Sequence, residues 1–169
     1  MEHTVAFVKG KNQVSNRAYG HSREGGSLKE TDQSSTSATL GDGGVYSNLQ
    51  DLARWDEALE HRTLLSEAEM QAALTPVKLP DGSLPNWASD PGDSDPQAGK
   101  PVSYGFGWFL DSYKNHPRMW HYGDTMGFKT ALERFPTEKL TIIVLSNRTD
   151  LDAATLALQV AELYLDLSK

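Results

Sequence analysis

Residues 140–146, LTIIVLS, are the longest apolar run in the chain, and this run limits the possible folds more than any other feature. It is far short of the about 20 residues that a membrane-spanning helix needs. Its β-branched residues make it a strand, and a strand so apolar calls for cover on both faces. Upstream, YGFGWFL at 104–110 places Tyr104, Phe106 and Trp108 on one side at a period of two, and FKTALERF at 128–135 alternates less cleanly. The short link PTEK at 136–139 joins the last two strands as an antiparallel hairpin. Downstream, TDLDAATLALQVAELYLDL reads as a helix over 150–167, with Asp150 as N-cap and Ala153, Leu156, Ala157, Val160 and Tyr164 on one face. The fold class is therefore α+β: an antiparallel sheet over 102–147, a packed C-terminal helix, and a helical segment before the sheet.

That helical segment spans 47–75. Ser47 with Gln50 has the spacing of a capping box, and Leu49, Leu52, Ala53 and Leu59 share the face of a helix over 48–60. Ser66 with Glu69 repeats the spacing, Met70, Ala73 and Leu74 supply a face, and Thr75-Pro76 ends the second helix. Residues 1–46 read as extended loop, because the run GGSLKETDQSSTSATLGDGG is dense in turn-forming residues. Residues 76–101 hold six of the eight prolines and form a long loop of the kind that is functional or mobile. At 169 residues the chain is one domain, or one large piece of a bigger domain.

Charge and composition remove several functions. Sixteen basic against 23 acidic residues give a net charge of −7, which repels phosphate backbones and anionic lipid, so nucleic acid is not an expected partner and no membrane span is present. The absence of cysteine removes disulfides, a thiolate nucleophile and cysteine-ligated zinc. His116 and His121 are five apart, which on a strand sends them to opposite faces, and neither H-E-x-x-H nor an Asp-rich calcium loop occurs. Asp111 and Asp124 are the carboxylates nearest to them, but the spacing predicts no metal and no other cofactor. The N-terminal residues have too short an apolar patch for a secretory segment, which leaves the compartment open.

The chemistry-bearing candidates cluster in MWHYGDTMGF at 119–128. His121 reads either as a strand-end histidine bonded to a neighbour or as a catalytic group. No G-x-S-x-G is present, and no serine has lysine three positions on. Ser47 reads as a helix cap, and a self-sufficient hydrolase would have to use His121 as base with Ser103 or Ser146 as nucleophile. Trp55, Trp108 and Trp120 read as core or groove wall.

In order, MEHT, NRAYGHS, GDGGVYSNLQDLARWDEAL, YGFGWFL, HYGDTMGF and IIVLSN resemble the C-terminal part of the serine β-lactamase and penicillin-binding-like family, which includes class C β-lactamases, esterases and D-aminopeptidases. The resemblance implies acyl transfer through a serine ester on a small-molecule or peptide substrate. HYG resembles the family's third motif, K-T-G or H-x-G. On that resemblance His121 takes the cationic or hydrogen-bonding role, Gly123 permits close approach, the Asp124 amide is an oxyanion-hole donor, and Tyr122 and Thr125 contact substrate. Tyr46-Ser47-Asn48 spells the family's Y-x-N but falls in what resembles its later Gly-Gly helix-entry segment, so Tyr46 is not expected to be the catalytic tyrosine. With no S-x-x-K in the sequence, the resemblance implies the final portion of such an enzyme, inactive alone, with LTIIVLS as an open edge that self-associates or takes up a complementary N-terminal chain. The alternative is a non-catalytic module that binds a ligand or a protein. Related full-length enzymes are often exported.

Overall fold

The computed structural model describes residues 1–32, 43–88 and 99–165. Its centre is a four-stranded antiparallel meander in the order β5-β6-β7-β8, comprising β5 (Phe109–Tyr113), β6 (His116–Thr125), β7 (Phe128–Phe135) and β8 (Leu140–Ser146). The links are tight. Lys114 and Asn115 both adopt positive φ between the paired Tyr113 and His116, the backbone that a two-residue hairpin demands. Residues 126–127 join Thr125 to Phe128, and the expected PTEK link joins Phe135 to Leu140.

Alternation along the strands assigns the two faces of this sheet. Ala131, Phe135 and Ile142 point to one side and pack on α3 (Ala153–Leu165), whose Ala153, Ala157, Ala161 and Leu165 are buried there. Call this the back face. Met119 and Leu132 point the other way and join Leu59, Trp55 and Trp108 from the front, where α1 (Leu49–Glu60) and α2 (Glu67–Ala73) lie. Trp55 and Trp108 stack with centroids 5.6 Å apart, in keeping with a core role. Three polar groups brace the front: the Arg134 guanidinium and the Thr141 hydroxyl both donate to Asp56 Oδ1, at 2.5 and 2.9 Å.

Several local expectations are corrected. The N-cap of α1 is Asn48, which accepts from the Asp51 amide at 2.8 Å, while the Ser47 hydroxyl is engaged with that of Thr4. The N-cap of α3 is Asp152, which accepts from the amide and hydroxyl of Thr155; Asp150 instead holds Arg23 and Arg148. Tyr164 leaves the apolar face and is exposed, and residues 166–167 of the expected helix lie outside the described residues. YGFGWFL is not one strand: Gly107 turns the chain at φ +76°, Phe106 is thrown out to solvent, and the strand starts at Phe109. β8 is not covered on both faces, since Leu145 is 41% exposed and β8 ends the sheet.

Residues 1–46 also contain more order than a loop. β1 (Val5–Ala6) pairs with β4 (Val45–Tyr46), and β2 (His21–Glu24) with β3 (Ser27–Glu30) across Gly25-Gly26, both at positive φ. The rest of that turn-rich run, 33–42, and residues 89–98 of the proline-rich loop lie outside the described residues. Two clamps fix the N-terminal segment. Buried Asp51 accepts from the amides of Glu2 and His3 and from the Thr4 hydroxyl; burial pushes its carboxyl up, but these bonds prevail and hold it at about 2. Gly20 meets Gly127 backbone to backbone, where a Cβ on Gly127 would lie 2.5 Å from Gly20 Cα.

Candidate active site

The β5 ladder ends at Phe109↔Trp120, whereas β6 runs on to Thr125 paired only with β7 among the described strands. Residues 121–125 therefore present a length of strand edge beside the segment that leads into β5. Alternation puts His121, Gly123 and Thr125 on the front face with α1 and α2, and Tyr122 and Asp124 on the back. The predicted set is thus divided: the structure brings together the side chains of His121 and Thr125 with Gly123 between them, and turns those of Tyr122 and Asp124 away.

His121 is exposed, and both its ring nitrogens are engaged. Nδ1 lies 2.7 Å from the Tyr122 carbonyl oxygen, which only accepts, so Nδ1 carries the hydrogen in this arrangement. Nε2 lies 3.0 Å from the Tyr104 hydroxyl. Burial pushes the Tyr104 phenol up, so it stays protonated and its hydroxyl is the donor whenever Nε2 carries no hydrogen. Phe109 packs edge-on to Tyr104 at 4.7 Å and holds the phenol in place. The contribution of Tyr122 here is thus its carbonyl, which fixes the tautomer. Tyr104 is the residue that sequence reasoning missed as a site group. Its period-two spacing with Phe106 and Trp108 predicts an apolar strand face, and it reaches His121 only because the Gly107 turn folds it back.

Gly123 faces the cross-strand Thr130, whose hydroxyl would lie 2.5 Å from an added Cβ. A side chain at this point would force the Thr130 hydroxyl to turn away, and its absence leaves the edge open to a ligand. Lys129 pairs with the Asp124 carboxylate, which leaves the Asp124 amide as that residue's contribution to the edge.

The serines do not complete a nucleophile–base pair. Ser146 is aligned with Lys129, which is aligned with Asp124, so it stands two strands, about 10 Å, from β6. The Ser103 carbonyl accepts from the Leu110 amide, and among the described residues no serine hydroxyl bonds either nitrogen of His121. Tyr46 is packed among Phe7, Phe128 and Arg17, as an aromatic structural group would be. No group of three or more metal-ligating side chains occurs among the described residues, and no helix there is long and apolar enough to cross a membrane.

A family model described as Beta-lactamase matches residues 1–165. The chain is 32% identical over 111 residues to a penicillin-binding protein of Bacillus subtilis (strain 168), covering 65% of this chain and 21% of that protein. The chain thus spans about a fifth of that curated relative's length. Its fold is similar to that of a penicillin binding protein from Bacillus halodurans, with TM-score 0.66 and 20% identity over 95% of this chain and 44% of that one. It is also similar to an octameric penicillin-binding protein homologue from Pyrococcus abyssi, with TM-score 0.72 and 20% identity over 98% of this chain and 34% of the other.

Proposed function

We propose, from the premise that this chain belongs to the beta-lactamase family, that residues 121–125 form the far wall of a site for acyl transfer on amide or ester substrates. The observation that carries this reading is the strand edge left open beyond Trp120, with the His121 ring held next to it by Tyr104 and the Tyr122 carbonyl. A substrate aligned along that edge meets His121 as the hydrogen-bonding group, slides past Gly123 where no side chain intervenes, and finds Thr125 on the same face. The Asp124 amide is the donor to the developing oxyanion, preorganised because its strand is fixed before reaction.

The wall lacks a nucleophile of its own. The sequence has no S-x-x-K, and Nε2 of His121 is engaged by a tyrosine hydroxyl and not by a serine. Acyl-enzyme formation requires a serine and base that this set of residues does not provide, so the chain is inactive alone. Steady-state hydrolysis of a chromogenic ester and a chromogenic cephalosporin tests this. The expected result is no turnover that is lost on His121→Ala; turnover that depends on His121 would restore the self-sufficient hydrolase.

β8 supports a second, compatible proposal. Its outer edge has no strand neighbour among the described residues and exposes Leu145, so it pairs with a second copy or with a complementary chain. A monodisperse monomer by light scattering would remove this part.

A further inference from the structure

The helix α3 is apolar on more than the face it buries. Ala153, Ala157, Ala161 and Leu165 pack on the sheet, and Glu162 is the only charged residue between 153 and 165. One flank is accounted for: Leu158 lines a cavity behind β5–β7, and Glu162 accepts from the Tyr113 hydroxyl at the end of β5 and pairs with Lys114 at 3.0 Å. That flank therefore points toward β5, at the far side of the sheet from β8. Leu156, Val160 and Leu163, spaced i, i+4 and i+7, lie on the opposite flank, which overhangs β8. Leu163 is 67% exposed there.

Beside this flank runs the outer edge of β8. Among the described strands β8 pairs only with β7, and the bridge of His21 to Arg148 falls beyond the strand's end. LTIIVLS has no charge, proline or glycine, the residues with which exposed edges discourage pairing. Edge and flank thus form one uncharged surface, and it fits a unit built as it is built: a strand edge with a helix on its back.

We propose that the occupant is a second copy of this chain, docked about a twofold axis perpendicular to the sheet; this names the partner of the open β8 edge and rests on that reading. Opposed residues of an antiparallel pair share a face. The register that pairs all seven residues of β8 sets Ile143 against its own copy, Ile142 against Val144 and Leu145 against Thr141, so front meets front and back meets back. The helices close the same gap. Because α3 rests on β7 and β8 alike, and strands lie about 4.8 Å apart, its axis stands about one strand spacing from the seam. The two helix axes are then about 10 Å apart, the separation at which helices pack. Leu156, Val160 and Leu163 meet the same three residues of the other copy. An interface of this symmetry closes at two copies. Each chain carries a net charge of −7 and the seam carries none, so screening by salt strengthens the dimer.

Sedimentation equilibrium over a concentration series tests this. The expected result is a monomer–dimer equilibrium that stops at two copies and tightens with added salt. Leu163→Lys, at an exposed helix position that the fold does not depend on, sets like charges across the seam and weakens the dimer by about tenfold. Leu79→Lys, also exposed but in the proline-rich loop, leaves it unchanged. Ile143→Cys, in a chain with no other cysteine, gives a disulfide-linked dimer on mild oxidation, and Leu79→Cys does not. A monomer at every concentration would overturn both the open-edge reading and this one. A dimer that ignores Leu163→Lys and forms no disulfide through Ile143→Cys would overturn the twofold docking alone, as would growth into larger assemblies. So would a longer chain of this protein that stays monomeric and that Leu163→Lys destabilises in urea, because a segment of the same polypeptide would then cover the surface.

Discussion

The two faces of the four-stranded sheet are covered by different means. The back face is closed by small residues at close range: Ala157 and Ala161 of α3 are fully buried against a sheet surface whose centre is the fully buried Phe135. The front face is held by a polar brace, Asp56 with Arg134 and Thr141, and by a stacked tryptophan pair, and it leaves His121 in solvent. Burial with alanine fixes β7 and β8 from behind without spare volume, and β6 is held to them through its ladder with β7, although behind 121–125 the back face itself opens into a cavity of about 800 Å³. The front is then free to present an exposed histidine at low cost to stability. The comparison teaches that the packed face supplies the rigidity and the polar face supplies the chemistry.

That division is open to attack by substitution. The largest expected effect is at the back: Ala157→Leu inserts a branched side chain where no volume exists and destabilises by about 3 kcal/mol, read by urea unfolding. An equal loss from a surface alanine would break the comparison. Asp56→Ala on the front leaves the nearly buried Arg134 without its main partner and costs about 2 kcal/mol in the same assay.

Glu133 gives a pH-dependent contrast on the back face. Its folded carboxyl is raised from 4.5 to about 7, so its contribution to stability is fully present below 4.5 and is lost as pH rises to about 7. Glu133→Gln removes that loss, and the stability of the variant relative to the parent rises between these two pH values. A difference that is flat with pH would show that the buried carboxyl does not titrate in this range. The smallest effect is at the front: His121→Ala changes stability by less than about 0.5 kcal/mol, because the ring is exposed and its bonds are made at the surface.

The parts of this molecule that were legible in the sequence are those that local physics decides. The capping box of Ser66 and Glu69 forms as its spacing predicts, and the apolar strand, its PTEK hairpin and the alanine-rich final helix appear in place. The misread caps have one cause. Ser47 and Asp150 were adequate candidates, but Thr4 takes the Ser47 hydroxyl and Arg23 takes Asp150, partners 43 and 127 residues away. Neighbouring Asn48 and Asp152 remained to cap. The Gly25-Gly26 turn was a readable hairpin signal that the surrounding serine- and threonine-rich sequence obscured. In the site, the resemblance singled out residues 121–125 as a stretch, and only the strand register separates His121, Gly123 and Thr125 on one face from Tyr122 and Asp124 on the other. Tyr104 was not legible, because its approach depends on a backbone turn at Gly107 that no periodicity encodes.

The most direct test of the central claim, that the front face is a substrate-facing wall without its own nucleophile, is the intact mass of the chain after exposure to a fluorophosphonate. The account predicts an unchanged mass. A single adduct mapped to a serine would contradict it, and the labelled serine would identify the nucleophile that the wall was argued to lack.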